Sequence, residues 1–283
     1  MKKILVTGAN GQLGRCIQSI KDEFPNFKFT FVDRSQLDIT NEKEVVGLFK
    51  SHDFDWCLNC AAYTAVDKAE EDIEKATDIN VNALNYLVKG AEINSTRFIH
   101  VSTDFVFNGK KSVAYTEIDD TNPLGIYGST KREGELLLNK TYKRYFIIRT
   151  SWLYSEYNQN FLKTMLRLAG QRDEINVVSD QIGTPTYARD LAYSLLTIIK
   201  QDSEAYGIYN FSNEGVASWY DFAKAIFEIN NTKINVNPIH TEDYPTPAKR
   251  PHFSVLDKSK IKKTFNISIP YWRDSLKIAI TNL

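Results

Sequence analysis

Lys3-Ile4-Leu5-Val6-Thr7-Gly8-Ala9-Asn10-Gly11-Gln12-Leu13-Gly14 is the stretch that decides the fold. Lys3 to Thr7 are rich in strand formers. Glycines then recur at every third position, and a helical pattern runs from about Gln12 to Glu23. In such a strand–turn–helix, the first glycine (Gly8) permits the tight turn and the second (Gly11) lets the backbone approach a pyrophosphate. The third (Gly14) lets the helix sit close to the sheet. The helix N-terminus, at Gln12 and Leu13, offers free N–H groups and a partial positive charge to phosphates. The reading is a dinucleotide-binding loop.

Working outward, strand and helix patterns alternate. Phe29-Thr30-Phe31-Val32-Asp33 reads as a second strand ending in an acid, and Thr40 as the cap of a helix through Lys50. Residues 55–60 form a third strand, 73–94 a long amphipathic helix, 97–102 a fourth strand, 127–139 a helix and 145–149 a fifth strand. This predicts an α/β fold: a Rossmann-type, doubly wound parallel sheet with right-handed crossovers over residues 1–150. From 151 to 283 turn signals multiply, as in Gly183-Thr184-Pro185-Thr186 and Tyr244-Pro245-Thr246-Pro247. A smaller C-terminal substrate-binding lobe is expected there, with some segments returning to the sheet. Ligands on such sheets bind beyond the carboxyl ends of the strands. Gly8, Asp33, Ala62-Tyr63-Thr64 and Thr103-Asp104 all fall at those ends.

Composition excludes several classes. Acidic and basic residues number 35 each, so no electrostatic footprint for nucleic acid or a membrane surface exists. Met1-Lys2-Lys3 leads straight into a short strand rather than a signal peptide, and no apolar run could span a bilayer. The expectation is a cytoplasmic protein. Cys57 and Cys60 have redox-motif spacing, but on a strand residues three apart face opposite sides, so they read as packed thiols.

Asp33 suits the ribose hydroxyls of NAD, whereas the adjacent Arg34 suits a 2′-phosphate, leaving NADPH and NADH both open. Leu37-Asp38-Ile39 is expected under the adenine. Tyr127-Gly128-Ser129-Thr130-Lys131 supplies a Tyr-x-x-x-Lys pair. With 15 tyrosines, about one such match arises by chance, and a second occurs at Tyr220 and Lys224. That copy has no hydroxyl-bearing strand end upstream and reads as a half-buried tyrosine with a solvated lysine. The first follows Ser102-Thr103 by one strand–loop unit. On a helix, i and i+4 share a face, so Lys131 is expected to stabilise the Tyr127 phenolate by charge proximity.

Longer runs narrow the reading. Ala61-Ala62-Tyr63-Thr64-Ala65-Val66-Asp67-Lys68-Ala69-Glu70, Ser102-Thr103-Asp104-Phe105-Val106-Phe107 and Tyr127-Gly128-Ser129-Thr130-Lys131 are joined by Arg149-Thr150-Ser151-Trp152-Leu153-Tyr154. Asp180-Gln181-Ile182-Gly183-Thr184-Pro185-Thr186 and Tyr244-Pro245-Thr246-Pro247-Ala248-Lys249-Arg250-Pro251 complete the set. In this order, over essentially the whole chain, they resemble the dTDP-4-dehydrorhamnose reductases of the extended short-chain dehydrogenase/reductase superfamily.

The resemblance implies NADPH- or NADH-dependent reduction of the C4 ketone of dTDP-4-dehydro-L-rhamnose. Tyr127 would protonate the oxygen, Thr103 would donate to it, and Lys131 would tune Tyr127 and hold the nicotinamide ribose. Gly11, Gln12 and Leu13 would line the pyrophosphate. Asp33, Asp38 and Ile39 would face the adenosine half, and Ala62, Tyr63 and Thr64 the cofactor groove. Val66, Asp104 and Trp152 would contact the substrate, and Arg250 its pyrophosphate. A tryptophan after a strand is more often packing, but Trp152 lies directly beyond the fifth strand's carboxyl end, which favours a sugar platform.

Some members carry a glutamate after the glycine loop that binds magnesium at a dimer interface. Here the residues are Gly14-Arg15-Cys16, so no metal requirement and a monomer or weak homodimer are expected. Two alternatives share the superfamily: a catalytically silent regulatory subunit of the methionine adenosyltransferase type, and another sugar-nucleotide reductase, epimerase or dehydratase.

Overall fold

The computed structural model describes residues 1–283. Six parallel strands form the central sheet: β1 (Lys2–Thr7), β2 (Phe27–Val32), β3 (Trp56–Asn59), β4 (Arg97–Thr103), β5 (Tyr145–Thr150) and a late strand, Gly207–Asn210. The spatial order is β2-β1-β3-β4-β5 with Gly207–Asn210 outermost beside β5. β3 and β5 are buried at every position, as central strands covered on both faces must be. β2 sits on the edge and is only partly covered.

Between β1 and β3 the winding reverses direction, and the crevice of an open α/β sheet lies at that point. Helix α1 (Gln12–Ile20) and the helix Ala188–Gln201 pack together on one face. The other face is covered by α2 (Glu42–Ser51) and the helices Ala83–Ile93 and Ile126–Thr141. The chain after residue 150 therefore alternates between a second lobe and the sheet. That lobe has its own core, in which Tyr154, Phe222 and Trp272 pack between the helices Phe161–Ala169, Trp219–Ile229 and Trp272–Thr281. No helix is long and apolar enough to cross a membrane.

Two local expectations are corrected. The cap of α2 is Asn41, whose side chain accepts from the Lys43 and Glu44 amides. Thr40 instead donates to Asp38 Oδ1 at 2.7 Å. The stretch expected as one helix over 73–94 is broken by a π-helical turn, Asp78–Asn82, between Ile73–Thr77 and Ala83–Ile93. The extra residue in that turn carries Asn80, which is buried.

Candidate active site

A cleft of about 820 Å³ opens where the sheet meets the second lobe. Gly8 turns with φ +66°, and a Cβ there would lie 2.7 Å from the Ala61 backbone nitrogen, so the turn closes tightly over the end of β3. Helix α1 begins at Gly11 with no side-chain cap, leaving its first-turn N–H groups available to an anion. Asp33 Oδ1 accepts from the Ser35 amide at 2.8 Å and the Ser35 hydroxyl at 2.6 Å, while Oδ2 accepts from Asn10 Nδ2 at 2.5 Å. These bonds, led by the Ser35 hydroxyl, hold its carboxyl below the usual range. Arg34 reaches only Asp38, at 3.9 Å.

The helix Ile126–Thr141 carries Tyr127 in its first turn. Glu70 Oε1 accepts from the Ile126 amide at 2.9 Å and so caps that end. Gly128 has a steric reason: a Cβ there would lie 2.3 Å from the Phe105 carbonyl oxygen. Asn80 fixes the next turn by donating to Thr130 Oγ1 at 3.0 Å, and its Oδ1 accepts from the Tyr63 amide at 3.0 Å. The π-helical turn thus ties the Tyr63 loop to the Tyr127 helix. Neither Glu70 nor Asn80 was expected to support the site.

Thr103 Oγ1 accepts from the Phe105 amide at 3.2 Å and donates to Asp104 Oδ1 at 3.1 Å. Burial pushes Asp104 up to about 6, with bonds from Ser254 and Thr103 pulling back. Burial also pushes the Tyr127 phenol up to about 12. The Thr103 side chain opposes this shift and the Asp104 charge adds to it. The expected stabilisation of the phenolate by Lys131 is therefore overruled: desolvation of the phenolate is the larger effect, and the phenol keeps its proton. Lys131 is buried. Its Nζ donates to the Val101 carbonyl at 2.8 Å and lies 3.1 Å from His100 Nε2. Burial lowers it to about 8.

The cleft gathers every residue expected of the site except Tyr63. Tyr63 is buried with its hydroxyl 3.0 Å from Asp72 Oδ2, turned away from the cleft. The far wall contains residues the sequence did not single out. Trp219 stacks flat on Trp152. Asn158, Gln159 and Asn160 also line the cleft, with Asn158 Nδ2 donating to the Asn10 carbonyl at 2.7 Å. Gln12 Oε1 accepts from Ser155 Oγ at 2.9 Å and Asn160 Nδ2 at 3.0 Å, which latches the second lobe to the glycine loop. The second Tyr/Lys pair lies elsewhere, with Tyr220 half-buried and Lys224 exposed. Cys16, Cys57 and Cys60 are free, and burial holds the Cys57 and Cys60 thiols well above their usual range.

The residues present fit a dinucleotide and a polar ligand. An uncapped helix end faces the cleft, and an acid stands at the rim beyond β2. Three buried polar atoms of lining residues, Ser102 Oγ, Asp104 Oδ2 and Thr150 Oγ1, have no hydrogen-bond partner within the protein. Orphans of this kind call for a ligand.

The RmlD substrate binding domain model matches residues 1–283. The dTDP-4-dehydrorhamnose reductase of Aggregatibacter actinomycetemcomitans is 44% identical over 98% of both chains. The chain belongs to the dTDP-4-dehydrorhamnose reductase family. Solved members share its architecture throughout. The reductase of Clostridium acetobutylicum superposes with a TM-score of 0.94 at 40% identity, covering 99% of each chain. The Bacillus anthracis reductase, solved in complex with NADP, superposes with a TM-score of 0.95 at 37% identity over all of both chains. Within this reductase family fold, Tyr127, Lys131 and Thr103 meet at the carboxyl end of β4, between the glycine loop and the second lobe.

Proposed function

We propose that this chain reduces the C4 ketone of dTDP-4-dehydro-L-rhamnose to dTDP-L-rhamnose, using NADPH or NADH. The observation that carries the mechanism is a buried phenol that keeps its proton beside a hydroxyl donor. Reduction of a ketone needs a positioned acid for the developing alkoxide. The reduced nicotinamide, when bound, supplies the hydride for the carbonyl carbon.

The chain's own residues do the rest. Tyr127 holds the proton destined for the carbonyl oxygen. Thr103 turns its hydroxyl from Asp104 to that oxygen and stabilises its negative charge. Lys131 grips the nicotinamide ribose. The first turn of α1, with Gly11, Gln12 and Leu13, holds the pyrophosphate, and Asp33, Arg34, Asp38 and Ile39 hold the adenosine end. Gly8, Gly14, Ala62 and Thr64 shape the groove. Trp152, Val66 and Asp104 face the sugar, and Arg250 the nucleotide diphosphate. Water is excluded by the second lobe, which is already bonded to the glycine loop through Gln12. The same reading makes the protein a cytoplasmic monomer or weak homodimer.

The test is loss of nicotinamide absorbance when protein, NADPH or NADH, and the 4-keto sugar nucleotide are mixed. No oxidation with either cofactor across a panel of 4-keto sugar nucleotides would sink the proposal. Tyr127→Phe should lower turnover about 10²- to 10⁴-fold while leaving cofactor affinity nearly intact. Tyr220→Phe should change neither.

A further inference from the structure

Beneath the cleft lies a chain of buried polar groups that the reduction does not use. Thr7 on β1 is in register with Asn59 on β3, and Asn59 with His100 on β4. All three are buried. The Ala61 amide donates to Thr7 Oγ1 at 3.4 Å, and Thr7 Oγ1 donates to Asn59 Oδ1 at 2.6 Å. Asn59 Nδ2 lies 3.1 Å from His100 Nδ1, and His100 Nε2 lies 3.1 Å from Lys131 Nζ.

One arrangement of protons satisfies this row. The Thr7 hydroxyl meets a single acceptor, Asn59 Oδ1. Turning the amide over would face that proton with an NH₂ group and leave it unpaired in a buried place. The Asn59 NH₂ therefore points at His100 Nδ1, which must be the bare ring nitrogen. Burial, reinforced by Lys131, keeps the imidazole neutral, so its one proton sits on Nε2 and points at Lys131. Lys131 can accept that proton only through the lone pair of a free amine, because an ammonium has none. Of the two remaining N–H bonds, one reaches the Val101 carbonyl and the other is left for the cleft.

We propose that His100 is a positioning residue that, through the row Ala61–Thr7–Asn59–His100, holds Lys131 as a neutral amine with one N–H turned into the cleft. Its catalytic meaning rests on the reductase reading above. The other groups facing Lys131 allow this state. Glu135, one turn along the same helix, favours the ammonium, but Arg149 grips it at 2.7 and 3.0 Å. Tyr127 keeps its proton, and Asp104 stands beside Tyr127 rather than Lys131. Burial already lowers Lys131 to about 8. An uncharged lysine does not draw the proton from Tyr127, so the phenol stays loaded as the acid that a reductase needs.

The test reads the histidine directly. His52, His240 and His252 are exposed, so replacing all three with glutamine leaves His100 as the one imidazole in ¹⁵N-histidine-labelled protein. At about pH 9, above the Lys131 value, its spectrum should show a bare Nδ1 and a protonated Nε2. A protonated Nδ1 would overturn the proposal, because Lys131 would then be the donor. In a second arm, His100→Gln can turn an amide oxygen to Lys131 and favour the ammonium. The pH at which NADPH affinity titrates, followed by cofactor fluorescence, should rise by about one unit. Superimposed profiles from a folded variant would also overturn it. The tautomer is read without turnover, so its outcome is independent of whether the chain reduces the proposed sugar.

Discussion

Trp152 lies flat against Trp219, with ring centroids 3.6 Å apart and planes within 7°. The arrangement is held from both sides. Trp152 takes a left-handed backbone, φ +46°, which a bulky residue adopts only when its surroundings demand it. Trp219 is set by the capping box of Ser218 and Asp221 and packs against Phe161 at 4.6 Å. A ring on the substrate wall is therefore aimed by the second lobe. Trp219→Ala should raise KM for the sugar nucleotide about tenfold, a loss of ~1.4 kcal/mol, and Trp219→Phe much less. Cofactor affinity should hold. Steady-state kinetics giving an unchanged KM would show that Trp152 is aimed without Trp219.

Arg250 meets Asp67 through two hydrogen bonds, at 2.8 and 3.0 Å, and also donates to Thr246 Oγ1 and the Ala248 carbonyl. Its guanidinium thus joins the loop near residue 250 to the helix Val66–Ala69 across the cleft mouth. The pair is partly exposed, so its contribution to stability is at most about 1 kcal/mol. Its value is in placing the cation. Arg250→Ala should raise the substrate KM about tenfold or more, and Asp67→Asn should raise it less, because the charge stays while its aim is lost. Titrating the substrate at several salt concentrations should show a weaker salt dependence for Arg250→Ala than for Asp67→Asn. Equal slopes would remove Arg250 from the phosphate contact.

Asp104 is pushed from 3.8 to about 6 by burial. Between these values the folded chain binds more protons at this site than the unfolded one. The stability from the protonated form is therefore complete below the unfolded value and is lost as the pH rises through about 6. The shift corresponds to roughly 3 kcal/mol. Asp104→Asn keeps the shape without the charge. It should match the wild type near pH 4 and exceed it above pH 6 by up to about 3 kcal/mol in denaturant unfolding, while losing turnover. A stability difference that does not vary with pH would refute the assignment.

The sheet and the glycine loop were legible because their signals are local: an apolar run, three spaced glycines, an acid at a strand end. The Tyr127–Lys131 pair was legible because i and i+4 share a helix face. What joins distant segments was not. Asn80 serves Thr130, fifty residues away, from a π-helical turn that the apolar stripe of 73–94 does not betray. The Thr7–Asn59–His100 row depends on the register of three strands. Trp219 reaches the cleft because a second lobe folds back over it. At α2 the sequence offered two adjacent caps, and Asp38 decided between them by taking the Thr40 hydroxyl. Tyr63 sits in a run that faces the cleft, but Asp72 draws its ring the other way. Lys131 was read as an acidifier of Tyr127 from spacing alone, whereas the depth at which both groups lie makes burial the larger influence.

Cofactor choice turns on Asp33 and Arg34. Asp33 is ionised and aimed by Ser35, Gln36 and Asn10 at the cleft rim, where a ribose diol would be a good donor and a 2′-phosphate would be repelled. Arg34 is the counterweight. It is exposed, held loosely near Asp38 and free to swing onto a phosphate. With both present the chain should use NADH and NADPH alike. Asp33→Asn removes the repulsion but keeps an acceptor for Ser35, and should raise the kcat/KM ratio of NADPH to NADH about tenfold. Arg34→Ala should move the same ratio in the opposite direction. Neither change touches the proton donor, so kcat with saturating cofactor should stay near the wild-type value for both variants. Parallel assays with the two cofactors decide the matter, and a ratio that both substitutions leave in place would put the 2′ position away from this turn.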